Sequence, residues 1–189
     1  MVRYLAAGLG ALASVSSLQA APLLSPTDPI FAYDLDTAGG NTGSVNFLAV
    51  TYTAGQEPHL VLDGNTATKH LNRSKWNAGL IVTGFTAATA KSMVITTAND
   101  AVERDPASYI ILGSNHPITS AQNSNGFADH WTYIAQGTLS LPSGRQAASA
   151  PINFTNNTSY ASYWIVFPTT KDTVANSLMQ ISELQLYTG

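Results

Sequence analysis

The stretch Leu60-Val-Leu-Asp-Gly-Asn-Thr-Ala-Thr-Lys-His-Leu-Asn-Arg-Ser-Lys-Trp76 runs from apolar residues into a turn dense with oxygen-bearing side chains. Gly64 tolerates positive φ, and the flanking Asx side chains bond their own backbone, so Asp63-Gly-Asn65 reads as a tight turn. Asp63, Asn65 and Thr68 aim several hard ligands at one spot. Oxygen donors at this spacing suit Ca²⁺, which takes about six to eight of them. A hairpin turn with no ion is the competing reading, since Asp-Gly is itself a turn signal. The residues just before it, His59 to Leu62, read as a short strand.

Outward from this turn the chain is a series of short apolar runs rich in Thr, Val, Ile, Tyr and Trp, separated by Gly, Asn, Asp, Pro and Ser. That pattern is characteristic of β-proteins. Strands are expected over Val45 to Thr53, His59 to Leu62, Gly79 to Thr83, Lys91 to Ala98, Ser108 to Gly113, Trp131 to Thr138, Ala150 to Phe154, Ala161 to Phe167 and Leu178 to Tyr187. So many short strands, with no long apolar stripe at helical spacing, imply an all-β sandwich or barrel. Tyr163-Trp-Ile-Val-Phe167 is apolar on both faces and is expected as a central, doubly covered strand with Trp164 in the core.

The last run changes phase. Met179 and Ile181 keep one alternation, Leu184 and Leu186 the other, which predicts a β-bulge near Ser182 and Glu183. Such a bulge turns the Ser182 carbonyl and the Glu183 carboxylate towards one point, where an ion in the Asp63 turn would use both.

Residues 1–20 differ from the rest. Arg3 precedes an apolar stretch from Leu5 to Val15 that is too short to span a bilayer, and small residues lead to Ala20 and Ala21, as in a secretory signal peptide. Residues 21–29, with Pro22, Pro26 and Pro29, are expected as a linker, and 30–189 as one domain. The formal net charge is −3, one unit more negative without Arg3, so there is no basic footprint for nucleic acid. No later apolar run reaches membrane-spanning length, and no membrane insertion is expected. The chain has no cysteine, so no disulfide or thiolate metal site fastens it. The protein is expected to be secreted and monomeric.

Catalytic constellations are sparse. The histidines at 59, 70, 116 and 130 form no metal-binding spacing, and no Gly-x-Ser-x-Gly elbow is present. Asn99-Asp-Ala-Val-Glu-Arg-Asp-Pro106 holds three carboxylates that could serve glycoside hydrolysis, but an ion-pair cluster centred on Arg104 is the better reading of residues so close together. His116 to His130 reads as a long polar surface loop.

With Asp63-Gly-Asn65-x-x-Thr68, Thr97 to Tyr109, Leu112-Gly-Ser-Asn115 and Ser182-Glu183-Leu-Gln-Leu186, nearly all of the chain after residue 20 resembles the discoidin family. This family of factor V/VIII C-type domains belongs to the galactose-binding-domain-like superfamily, as do many bacterial carbohydrate-binding modules. The segments look most like a bacterial branch found in exported PEP-CTERM-type proteins, although the sorting tail of that branch is not in this sequence. The resemblance implies an antiparallel two-sheet jelly roll with a structural Ca²⁺. Its ligands would be the side chains of Asp63, Asn65, Thr68 and Glu183 and the backbone carbonyls of Leu60 and Ser182.

In discoidin-like lectins the ligand sits among loops at one end of the sandwich. Here Asn72, Arg73, Lys75 and Trp76, joined by Glu103, Arg104 and Asp105, supply the planar polar groups and aromatic face that a sugar requires. Trp76 reads equally well as core. The leading expectation is therefore a non-catalytic module binding a glycan or cell-surface ligand. A structural or adhesive extracellular protein is the alternative, followed by a glycoside hydrolase.

Overall fold

The computed structural model describes residues 20–36, 46–49, 52–74, 76–118, 131–172 and 178–189. The signal-peptide reading, Lys75 and all but the first residues of the His116 to His130 loop lie outside this set. Among the described residues the chain is almost entirely β, and every strand pairing is antiparallel. In chain order the strands are β1 (Ile30–Asp36), β2 (Asn46–Ala49), β3 (His70–Asn72), β4 (Ala78–Val82), β5 (Ala90–Thr96), β6 (Ser108–Ser114), β7 (Thr132–Thr138), β8 (Ile152–Asn153), β9 (Ser162–Phe167), β10 (Met179–Ile181) and β11 (Glu183–Thr188). A six-stranded sheet in the order β2-β1-β4-β9-β6-β7 faces a three-stranded sheet, β11-β5-β8, with the pair β10-β3 beside them. The expected β-sandwich is what the chain forms.

Strand β9 shows why the sheets stack. Tyr163, Ile165 and Phe167 point between the sheets and pack with Leu80, Val82, Met93, Ile95, Ile111, Leu184 and Leu186. Trp164 and Val166 point to the opposite face, where Ile81, Leu112, Ile118 and Trp131 cover them. The Trp131 and Trp164 ring centroids lie 5.6 Å apart at 58°. All six residues of β9 are buried, as its two-faced apolar sequence requires.

Three local expectations are corrected. Pro58–Val61 is a 3₁₀ turn, not a strand, with Pro58 at its first position and buried together with Val61. Proline's fixed φ suits a helical first turn and removes a ladder donor. The phase change in the last run is a change of sheet, not a bulge: β10 pairs with β3, the strand stops at Ser182, and β11 pairs with β5. Finally, the residues expected as linker belong to the domain. Leu23 N–H bonds Leu186 O at 2.8 Å, Leu24 N–H bonds Gln185 Oε1 at 2.8 Å, and Leu24 is buried in the core.

His70 on β3 is buried, with Nδ1 3.0 Å from Gln56 O and the Tyr52 ring edge-on at 6.2 Å. Burial pushes its pKa from 6.5 down to about 4. Between these values the unfolded chain binds more protons than the folded one, so stability is complete above about pH 6.5 and falls as pH drops towards 4. The imidazole alone should cost about 3 kcal/mol across that window. Urea midpoints measured from pH 7 to 4 should fall less steeply for His70→Asn than for the wild type, and parallel curves would refute the assignment.

Candidate functional site

The turn after the 3₁₀ segment is built from its own oxygens. Gly64 adopts φ +72°, the left-handed conformation that reverses the chain. Asp63 Oδ1 accepts Asn65 N–H at 2.8 Å, and Asn65 Oδ1 accepts Ala67 N–H at 3.1 Å. The chain end closes on this turn, with Glu183 Oε2 accepting Gly64 N–H at 3.3 Å across 119 positions. Ser182 contributes through its side chain, its hydroxyl reaching the carbonyls of Thr66 and Thr68.

Oxygens here outnumber protons. Thr68 Oγ1 lies 2.8 Å from Asp63 Oδ2 and 2.7 Å from Asn65 O, yet its hydroxyl has a single proton to donate. Glu183 Oε1 is buried without a hydrogen-bond partner. Burial, followed by the neighbouring Asp63 carboxylate, pushes the Glu183 pKa up to about 7. Two carboxylates with an orphaned oxygen and surplus carbonyl lone pairs fit a hard cation. Among the described residues no group of three or more His, Cys, Asp or Glu side chains forms a metal cluster; at this turn two carboxylates stand with amide, hydroxyl and backbone oxygens. Leu60 has only its backbone in the 3₁₀ turn to offer.

The loop joining β3 to β4 presents the other expected residues. Trp76 is 60% exposed, which settles it as a surface residue and removes the core reading. Arg73 is exposed and its Nη2 donates to Thr53 Oγ1 at 3.3 Å. Asn72 is corrected: it is fully buried on β3, and its Oδ1 accepts Ser74 N–H at 2.8 Å, so it supports the loop from beneath. The Ser74 hydroxyl in turn donates to Trp76 O at 3.1 Å, and Asn77, at φ +54°, turns the chain into β4. Tyr52, 43% exposed and bridged to Asn72, joins this group and was missed because Thr51-Tyr-Thr53 reads as strand interior.

Glu103 and Arg104 lie on a 3₁₀ turn, Val102–Arg104, in the loop between β5 and β6. The expected Arg104-centred ion cluster is also corrected. Asp105, fully buried, is held by Arg145 at 2.7 Å and Lys171 at 3.0 Å, and Asp100 by Lys69 at 2.6 Å. Burial works to raise the Asp100 pKa, but its bonds to Lys69 and Gln180 prevail and hold it below the ordinary value. These loop aspartates brace structure through ion pairs. Their partners are spread through the sequence, so spacing could not reveal them.

The architecture is an antiparallel two-sheet β-sandwich. No protein-family model matches it, and no curated protein matches it by sequence. Solved structures do. CpGH89CBM32-5 from Clostridium perfringens, in complex with GalNAc-β-1,3-galactose, superposes with TM-score 0.58 at 12% identity, covering 89% of this chain and 100% of that one. The family 32 carbohydrate-binding module of Clostridium perfringens NanJ, in complex with galactose, gives 0.53 at 19% identity over 74% and 90% of the two chains. A chitosan-binding module of a chitosanase/glucanase from Paenibacillus sp. IK-5 gives 0.53 at 14% over 88% and 98%. These likenesses establish the fold.

Replacing Asp105 by Ala leaves Arg145 and Lys171 without their buried counter-ion and should cost about 3–5 kcal/mol of stability. Glu103→Ala, on the exposed side of the same loop, should change it by less than about 0.5 kcal/mol. Chemical denaturation of both variants measures the contrast, and equal losses would contradict this division.

Proposed function

We propose that the protein is an extracellular, non-catalytic carbohydrate-binding module that recognises a neutral or acidic glycan through the β3–β4 loop. The observation that carries this reading is the exposure of the Trp76 indole on a β3–β4 loop that also carries the exposed Arg73, on a galactose-binding-like scaffold. An indole face covers the apolar hydrogens of a pyranose, and a guanidinium offers a planar fork of donors to adjacent hydroxyls or a carboxylate. The carbohydrate-binding character of the structural neighbours supports the same reading. The adhesive alternative draws less support, because the exposed large apolar residues among those described are few: Tyr52, Trp76, Val102 and Tyr133.

Ca²⁺ is proposed at the Asp63 turn, held by Asp63, Asn65, Thr68 and Glu183 with the backbone oxygens of Leu60 and Ser182. Supporting it are the buried, unpartnered Glu183 Oε1 and the surplus of oxygens around Thr68. Its role is to neutralise the paired carboxylates and fasten the chain end to the turn.

A glycan array probed with and without chelator tests the reading. Arg73→Ala should weaken binding by about 1.5–3 kcal/mol, the worth of a charged hydrogen bond. Trp76→Ala should weaken binding at this loop at least as much while melting like the wild type. Full affinity in the folded double variant would relocate the site. For the ion, free Ca²⁺ at about 100 times its dissociation constant adds about 2.7 kcal/mol of stability. Chelator should therefore lower the melting temperature of the wild type and leave Asp63→Ala unmoved. Identical wild-type melting in chelator and in excess Ca²⁺ would dismiss an exchangeable ion.

A further inference from the structure

A concavity lined by none of the Trp76-loop residues lies on the solvent face of the small sheet. On β11 the residues Leu184 and Leu186 point into the core, so Glu183, Gln185 and Tyr187 point outward and are half-buried. Across the ladder Glu183 faces Thr96, Gln185 faces Val94 and Tyr187 faces Ser92. These outward residues floor a hollow of about 370 Å³, walled by Leu24 and Pro26 on one side and Ala148 on the other, with Leu62 and Gly64 at the Glu183 end. Its volume falls in the lower part of the range of small-ligand sites, about 300–1,000 Å³. Glu183 and Tyr187 stand four residues apart on an extended strand, about 13 Å, so the floor is a trough and not a pit.

The wall is a built feature. Gln185 fixes Leu24 from both sides, its Oε1 accepting Leu24 N–H at 2.8 Å and its Nε2 donating to Leu24 O at 3.0 Å. The same pairing closes the edge of β11: residues 21–24 cover one side and β5 the other. An extended peptide that adds itself as a strand needs an unpaired edge, and β11 offers none. What the trough offers is one aromatic side chain, aliphatic walls and a hydroxyl at Thr96, with no cationic lining group; its one carboxylate, Glu183, is turned to the Gly64 end. That combination suits a neutral, hydroxyl-bearing ligand with apolar ring faces and disfavours an anion.

We propose that the trough over Val94, Thr96 and Tyr187 is a second saccharide site, taking a neutral segment of a glycan whose acidic or terminal part can engage the Arg73–Trp76 loop. The proposal rests on the carbohydrate-binding reading but uses none of the loop residues. Two separate sites on one module raise avidity for a polymeric glycan without any new contact at either.

Because Glu183 also belongs to the ion turn, the test avoids it. Amide NMR spectra of the full domain are titrated in excess Ca²⁺ with GalNAc-β-1,3-galactose and with neutral galacto-, gluco- and chito-oligosaccharides. Amides of Val94, Thr96, Gln185 and Tyr187 should shift in the wild type and in Trp76→Ala. Val94→Trp, which fills the trough from an outward position, should weaken that response by about tenfold or more while leaving shifts around Trp76 unchanged. Tyr187→Ala provides a second variant should Val94→Trp fail to fold. Sugars that move the Trp76 loop and never the trough overturn the second site and leave the carbohydrate reading standing. A panel that moves neither set overturns both. Trough shifts that persist undiminished in folded Val94→Trp and in Tyr187→Ala also overturn this site.

Discussion

The interruption at Ser182 is the constraint on which the rest of the structure depends. Before it, Met179 and Ile181 face the core while β10 pairs with β3; after it, Leu184 and Leu186 face the same core while β11 pairs with β5. An unbroken strand has a side-chain period of two and would send one of these pairs to solvent. Ser182 absorbs the change: its N–H bonds Thr96 O at 2.9 Å and its hydroxyl reaches into the Asp63 turn. One residue thus lets the C-terminal run serve two sheets and delivers Glu183 to Gly64.

With no cysteine, the long loops are held by charge. Lys69 is buried, and its ammonium bridges Asp100 and Gln180, tying the loop after β5 to β10. Arg145 and Lys171 converge on Asp105 from loops that lie 40 and 66 positions away. Buried pairs of this kind add little net stability over a well-packed apolar core, yet losing one partner is costly. Their contribution is to specify which loop meets which.

Legibility followed the density of apolar residues. Strands β4, β5, β6, β7 and β9 were expected close to their observed bounds because each is a compact run between turn residues. β1 was not marked, since Asp34 and Asp36 interrupt its apolar alternation. β3 was not marked either, because His70-Leu-Asn72 is too short and polar to register, and its pairing comes from β10 and from Tyr52. Pro58 carried a helical-turn signal that the apolar composition of the following residues obscured. At the candidate site, the Asp63-Gly64-Asn65 turn was legible through glycine and Asx chemistry. Asn72 was not, because nothing in a polar pentapeptide says which member faces inward.

That inward-facing Asn72 orders the exposed loop above it. It fixes Ser74 from below, and Ser74 fixes the Trp76 carbonyl, so the backbone that carries the exposed indole is already ordered by side-chain bonds within the loop. Arg73 is likewise steadied by Thr53. Weak sugar binding is easily cancelled by the entropy of ordering a flexible loop, a cost that a preorganised platform largely avoids. Burying Asn72 while exposing Trp76 inverts the usual preference for apolar interiors. The inversion makes physical sense where the surface residues contact a ligand and the buried one holds them in place.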